Sequence, residues 1–191
     1  MNRNALRIVL VSLFAAMIAV GAVFSLPLPP PLLPVTLAVF FSLLAGLILG
    51  PLWGLATTGL YLALGAVGLP VFANGAGGLG QFAGPTGGFL LGYTAAALLA
   101  GLIADRRTWG FPRAVLAALA GVTVLYAIGL PWFRTVLDSS PEKNVSMLAA
   151  FIIMGPYLVG DVLKAIAAAA LVKALAPLLK NYLPAGGKKA S

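Results

Sequence analysis

The 191-residue chain carries four acidic side chains, Asp105, Asp138, Glu142 and Asp161, and neither cysteine nor histidine. Disulfides, thiolate or imidazole metal sites and every nucleophile that needs a His base are therefore excluded. Three of the four carboxylates fall in segments read below as loops, so paired-carboxylate hydrolysis has only Asp161 to work with. Asp161 has a partner of opposite charge. In Gly160-Asp161-Val162-Leu163-Lys164 a carboxylate and an ammonium stand three residues apart, which on a helix puts them on one face within about 60°. Both lie in an apolar stretch. Charges at membrane depth are costly and mark a substrate or ion path unless they form a mutually neutralising structural pair. An enzyme here would need a Ser beside Lys164 or a lone Asp161, and no Ser is near either in sequence. Neither catalysis nor a metal or cofactor is expected.

A second chemically distinctive segment is GLPVFANGAGGLGQFAGPTGG, residues 68 to 88, with eight glycines. Gly75-x-Gly77-x-x-Gly80 has the spacing of a dinucleotide fingerprint but lacks its βαβ context and its downstream acid. Glycines here let the backbone turn sharply and approach a small ligand, while Asn74 and Gln81 supply amide donors and acceptors.

The elements that position these residues follow from composition. The chain is 61% hydrophobic and 8% charged, against roughly 25% charged in a soluble domain. No charge occurs between Arg7 and Asp105, 97 consecutive positions. At about 20 residues per crossing, this predicts an all-α polytopic membrane protein, a single integral domain over 1–191 with six transmembrane helices. The expected spans are approximately 8–26, 34–50, 51–68, 85–104, 114–133 and 157–179, with an extracellular glycine-rich loop over 69–84. The first run is longer than the 7 to 15 apolar residues of a cleavable signal. The last apolar region is too long for one span, and Gly155-Pro156 and Gly160 suggest a short or re-entrant piece up to Met154, then irregular backbone before the sixth span.

Six spans put both termini on one side. Nine of the twelve cations (Arg3, Arg7, Arg106, Arg107, Arg113, Lys173, Lys180, Lys188 and Lys189) would share that side, against Arg134 and Lys143 opposite. Both termini are therefore expected in the cytoplasm. The net charge of +8 is thereby explained without nucleic acid. Small residues recur at Ala15-x-x-x-Ala19, Gly46-x-x-x-Gly50 and Gly88-x-x-x-Gly92, a spacing that brings helices close in lipid. The last two suit internal packing, while Ala15 and Ala19 offer a docking face.

Three blocks then carry a family pattern: Pro34-Val35-Thr36-Leu37 with LLAGLILGP at 43–51, GLPVFANGAGG with GPTGGFLLGY at 68–78 and 84–93, and Gly160-Asp161-x-x-Lys164. From about Ala5 to Leu179 the chain resembles BioY, the biotin-specific S component of energy-coupling-factor (ECF) vitamin transporters. The resemblance implies a six-helix S-component bundle in a prokaryotic plasma membrane, with an outward-opening biotin site under the loops joining spans 1–2 and 3–4. It carries Asp161 and Lys164 over as ligand residues: Lys164 toward the biotin carboxylate, Asp161 toward the ureido N–H or holding Lys164. Asn74 is the third candidate, followed by Tyr93 and Gln81. It also implies partners, since the chain has no Gly-x-x-x-x-Gly-Lys-Ser/Thr phosphate loop: two cytoplasmic ATPase subunits and a transmembrane coupling subunit that docks at Ala15 and Ala19. Many relatives have Gln shortly after the Pro-x-Thr of span 2, where this chain reads Leu37-Ala38-Val39, and no cation follows GPTGG. Both departures put more of the carboxylate recognition on Lys164. The competing readings are an S component for another small vitamin and a proton-coupled carrier.

Overall fold

A computed structural model describes residues 3–26, 28, 33–104, 110–138 and 146–182. Arg106, Arg107, Lys143, Lys188 and Lys189, which carry part of the orientation argument, lie outside these residues, as do Asp105 and Glu142. The described chain is all-helical, with α1 at Arg3–Val23, α2 at Ala38–Leu49, α3 at Pro51–Ala66, a short α4 at Gly80–Ala83, α5 at Gly87–Ile103, α6 at Phe111–Asp138 and α7 at Met147–Tyr182. Its extended pairing among the described residues is one isolated antiparallel bridge, Leu26 with Val35.

α2 is the centre. Ten of its twelve residues are buried, because α1, α3, α5, α6 and α7 all pack around it; a helix wrapped on every side has no polar face to present. The packing is tight because side chains are missing at the crossings. A Cβ at Gly46 would meet the Ala97 carbonyl of α5, one at Gly54 would meet the Gly46 Cα, and one at Gly101 would meet Gly50 and Pro51. Close backbone approach of this kind is what holds helices together where lipid removes the hydrophobic incentive. Gly88 and Gly92 serve the same purpose between α5 and α6, facing Trp132 and Leu125.

Gly50, at φ 87°, is the single residue between α2 and α3; only glycine takes such a φ without strain. The same end of the bundle has the Arg7 guanidinium over the Trp53 ring, 5.6 Å from its centroid, and Arg113 Nε donating to the Ile103 carbonyl at 2.9 Å. At the opposite end Ser25, after α1, contacts the chain at Asn74, and Trp132 of α6 donates to the Gly84 carbonyl at 3.0 Å.

Helices α1, α6 and α7 have the length and apolarity to cross a membrane, and α2 and α5 are shorter apolar helices. α7 differs from expectation. It runs unbroken for 36 residues through Gly155, Pro156 and Gly160, where a re-entrant piece and irregular backbone were expected. Proline's fixed φ suits a helix and removes one hydrogen bond, whereas breaking the helix in an apolar environment would strand several backbone groups. The glycine-rich connection is also more ordered than a loop, holding a 3-10 turn at Ala73–Gly75 and then α4.

Candidate functional site

Asp161 and Lys164 form an ion pair on α7, Nζ to Oδ1 at 2.9 Å. α6 packs along α7 and brings the Tyr126 hydroxyl to donate to the other carboxylate oxygen, Oδ2, at 2.8 Å. Asp161 is 7% exposed. Its two oxygens thus hold one neighbour each, which fixes the carboxylate, and the carboxylate in turn aims the ammonium. Lys carries three N–H donors; one is spent on Asp161.

The pair opens into a cavity of about 320 Å³, at the lower end of the range for small-molecule sites. The five candidate ligand residues, Asp161, Lys164, Asn74, Tyr93 and Gln81, all line it. Aromatic rings of Tyr61, Phe72, Phe89 and Tyr126 form apolar wall, and Phe89 meets Tyr126 edge to face with centroids 5.6 Å apart. Tyr157 donates to the Leu33 carbonyl at 2.6 Å, tying the extended segment 33–36 to α7 across the cavity.

The glycine-rich segment roofs this space and is anchored. Phe72, 2% exposed, inserts where Gly65 has no side chain and stacks edge to face on Tyr61 and Phe82. Gly78, at φ 93°, donates its N–H to the Gly65 carbonyl at 2.7 Å. Asn74 is held in a left-handed turn, φ 57°, a conformation Asn tolerates better than most residues. Ser25 clasps it: the Ser25 hydroxyl donates to Asn74 Oδ1 at 2.8 Å, and the Asn74 backbone N–H reaches Ser25 Oγ at 3.1 Å. The amide NH2 of Asn74 is left as the donor of that side chain.

The docking assignment needs correction. Ala15 is 2% exposed and packs, with Ala19 partly buried beside it, in the cluster containing Tyr61, Phe72 and Leu90. That strip faces the bundle. The small residues on the outward face of α1 are Ser12 and Ala16, among exposed Ile8, Val9, Leu13 and Val20.

Tyr126, Tyr157 and Thr36 line the same cavity and Ser25 holds Asn74, and sequence reasoning missed all four. A phenol in the charge-free middle of α6 was the available signal for Tyr126, but nothing local links it to a carboxylate 35 residues away. Chemically the site offers one fixed ammonium, amides at the roof and an aromatic wall, the inventory for a small ligand with an anionic end. Among the described residues no group of three His, Cys, Asp or Glu side chains comes together to hold a metal.

A family model described as the BioY family matches residues 1–181. A biotin transporter BioY from Rhodobacter capsulatus is 38% identical, covering 98% of this chain and 100% of its own length. A probable biotin transporter BioY from Pyrococcus horikoshii is 37% identical over 87% of this chain and 93% of its own. The crystal structure of the S-component for biotin from an ECF-type ABC transporter superposes with a TM-score of 0.78 at 26% identity, covering 91% of this chain and 92% of that one.

Proposed function

Because the chain belongs to the BioY family, we propose that it captures biotin in the roofed cavity and delivers it as the substrate-specific membrane subunit of an ECF-type transporter. The observation that carries this reading is the convergence of Asp161, Lys164, Asn74, Gln81 and Tyr93 on one cavity. Lys164 donates to the biotin carboxylate in a charge-assisted bond. Asp161 holds Lys164, Tyr126 holds Asp161, and the Asn74 and Gln81 amides pair with the ureido group while the rings enclose the thioether and chain. Saturable binding of labelled biotin to the purified protein, without ion conductance in liposomes, tests it. Conductance with no biotin binding favours a proton-coupled carrier, and preference for another vitamin reassigns the ligand.

Tyr126→Phe should weaken biotin binding about fivefold to tenfold, the worth of one hydrogen bond, and lower the melting temperature while the protein still folds, because a buried carboxylate oxygen loses its donor. Titration calorimetry reads this; wild-type affinity would leave Tyr126 without a part in aiming the pair.

In this reading the chain crosses the membrane six times with both termini cytoplasmic, and the Arg7, Gly50 and Arg113 end faces the cytoplasm. What supports it is the clustering of that end with the first residues of α1 and the α5–α6 connection. Uptake energy then comes from two ATPase subunits through a coupling subunit, whose helix meets the outward face of α1 at Ser12 and Ala16. Ala16→Trp should leave biotin affinity of the isolated protein unchanged while co-purification with the coupling subunit and ATP-driven uptake fall together, since a large side chain separates helices that need close approach. Intact co-purification would move the docking face elsewhere.

A further inference from the structure

We infer that the site accepts biotin extended through its carboxyl group, as an amide with an amino acid, the added part lying in a second cavity beside the first. This rests on the reading that Lys164 takes the carboxylate. The second cavity, an open depression of about 380 Å³, shares Val35, Thr36 and Lys164 with the first and is walled on its other side by Phe24, Ser25, Leu26 and Leu37. Lys164 therefore stands in the partition between them. A carboxylate bound there lies at a junction and has open space beyond it.

The outer wall consists of side chains that are 79%, 65% and 48% exposed, for Phe24, Leu26 and Leu37 in turn. A chain passing the partition meets apolar surface and then leaves the bundle. An amide of biotin with the side-chain amine of lysine has the chemistry for that course. Its carbonyl oxygen keeps an acceptor for Lys164, its methylenes lie on Leu26 and Leu37, and its charged amino-acid end reaches solvent. By contrast, substituents on the ureido ring would meet the anchored roof, where Phe72 packs on Tyr61 and Gly78 is bonded to Gly65.

Calorimetric titration of the purified full-length protein with biotin, with the lysine amide of biotin and with an N-methylated ureido derivative tests the inference. The lysine amide should bind about tenfold to a hundredfold more weakly than biotin, because a neutral acceptor replaces a charged one. The ureido derivative should bind far more weakly than the amide. Leu26→Trp and Leu37→Trp, each filling the second cavity from an exposed position, should cost the amide at least a further tenfold while leaving biotin unchanged. An amide no better bound than the ureido derivative overturns the inference, as do Trp variants that treat amide and biotin alike. Failure of biotin itself to bind instead removes the function on which the inference rests.

Discussion

Lys164→Ala is expected to weaken biotin binding by two to three orders of magnitude or more, while the protein still folds. Two losses combine. The charge-assisted bond to the ligand carboxylate disappears, and Asp161, buried and held by Tyr126, keeps a carboxylate beside the anionic ligand with no cation between them. Truncating one partner of a buried, hydrogen-bonded charge pair at a binding site costs about 2–5 kcal/mol of binding, and each 1.4 kcal/mol is a factor of ten in affinity. Removing Asp161 instead, as Asp161→Asn, keeps a similar shape and a hydrogen-bond acceptor for Tyr126 but leaves the ammonium without its counter-charge, so the loss should be smaller because the ligand carboxylate then supplies it. Calorimetric titration of both variants, with melting curves to show that each is folded, checks the order. Wild-type affinity in Lys164→Ala would take that residue out of the site.

Gly46→Leu is expected to abolish the folded bundle. Its added carbons would drive into the Ala97 carbonyl, and a backbone group in the middle of α5 has no rotamer to give way. Overpacking of cores with movable side chains already costs about 1–3 kcal/mol; here α2 would have to leave α5, on the helix around which the others pack. Gly59→Ala is the matched control, because apart from its own stretch of helix backbone nothing lies within 4 Å of where its Cβ would stand, and alanine favours a helix over glycine by up to about 1 kcal/mol. Size-exclusion profiles and melting temperatures should separate the two: aggregation or loss of yield for Gly46→Leu, an equal or higher melting temperature for Gly59→Ala. A Gly46→Leu protein that melts like wild type would mean that α2 and α5 are not in contact here.

The Asp161–Lys164 pair was legible because two charges in an apolar run have a fixed helical spacing, and the roof was legible because eight glycines in one connection have few other uses. Gly46 and Gly88 announced close packing by the same logic. The phase of α1 was not legible. In a soluble protein a polar face reveals which side of a helix turns outward, but lipid is as apolar as the bundle interior, so α1 is apolar all round and the sequence reads equally well with Ala15 or Ala16 facing out. One residue rotates the face by about 100°, which is why the strip at Ala15 and Ala19 turned inward. The unbroken course of α7 was hidden for a related reason, since prolines that end helices in water are tolerated where no water competes for the backbone. Tyr126 required knowledge of which helices are neighbours.

The reversal at Gly50 bears on how this protein is made. At 1.5 Å per residue, α2 and α3, with 12 and 16 residues, measure about 18 Å and 24 Å, less than the roughly 30 Å of a bilayer's hydrocarbon core. Neither is a good independent stop or start signal for the insertion machinery, and the stretch between Arg7 and Asp105 offers no charge by which to orient them. In the six-span reading the two are expected to enter as one hairpin, oriented by α1 before it and by the cations after α5, and to be held in register by Gly46, Gly54 and Gly101. Until α5 is made, the hairpin lacks the Ala97 carbonyl against which Gly46 and Gly54 pack.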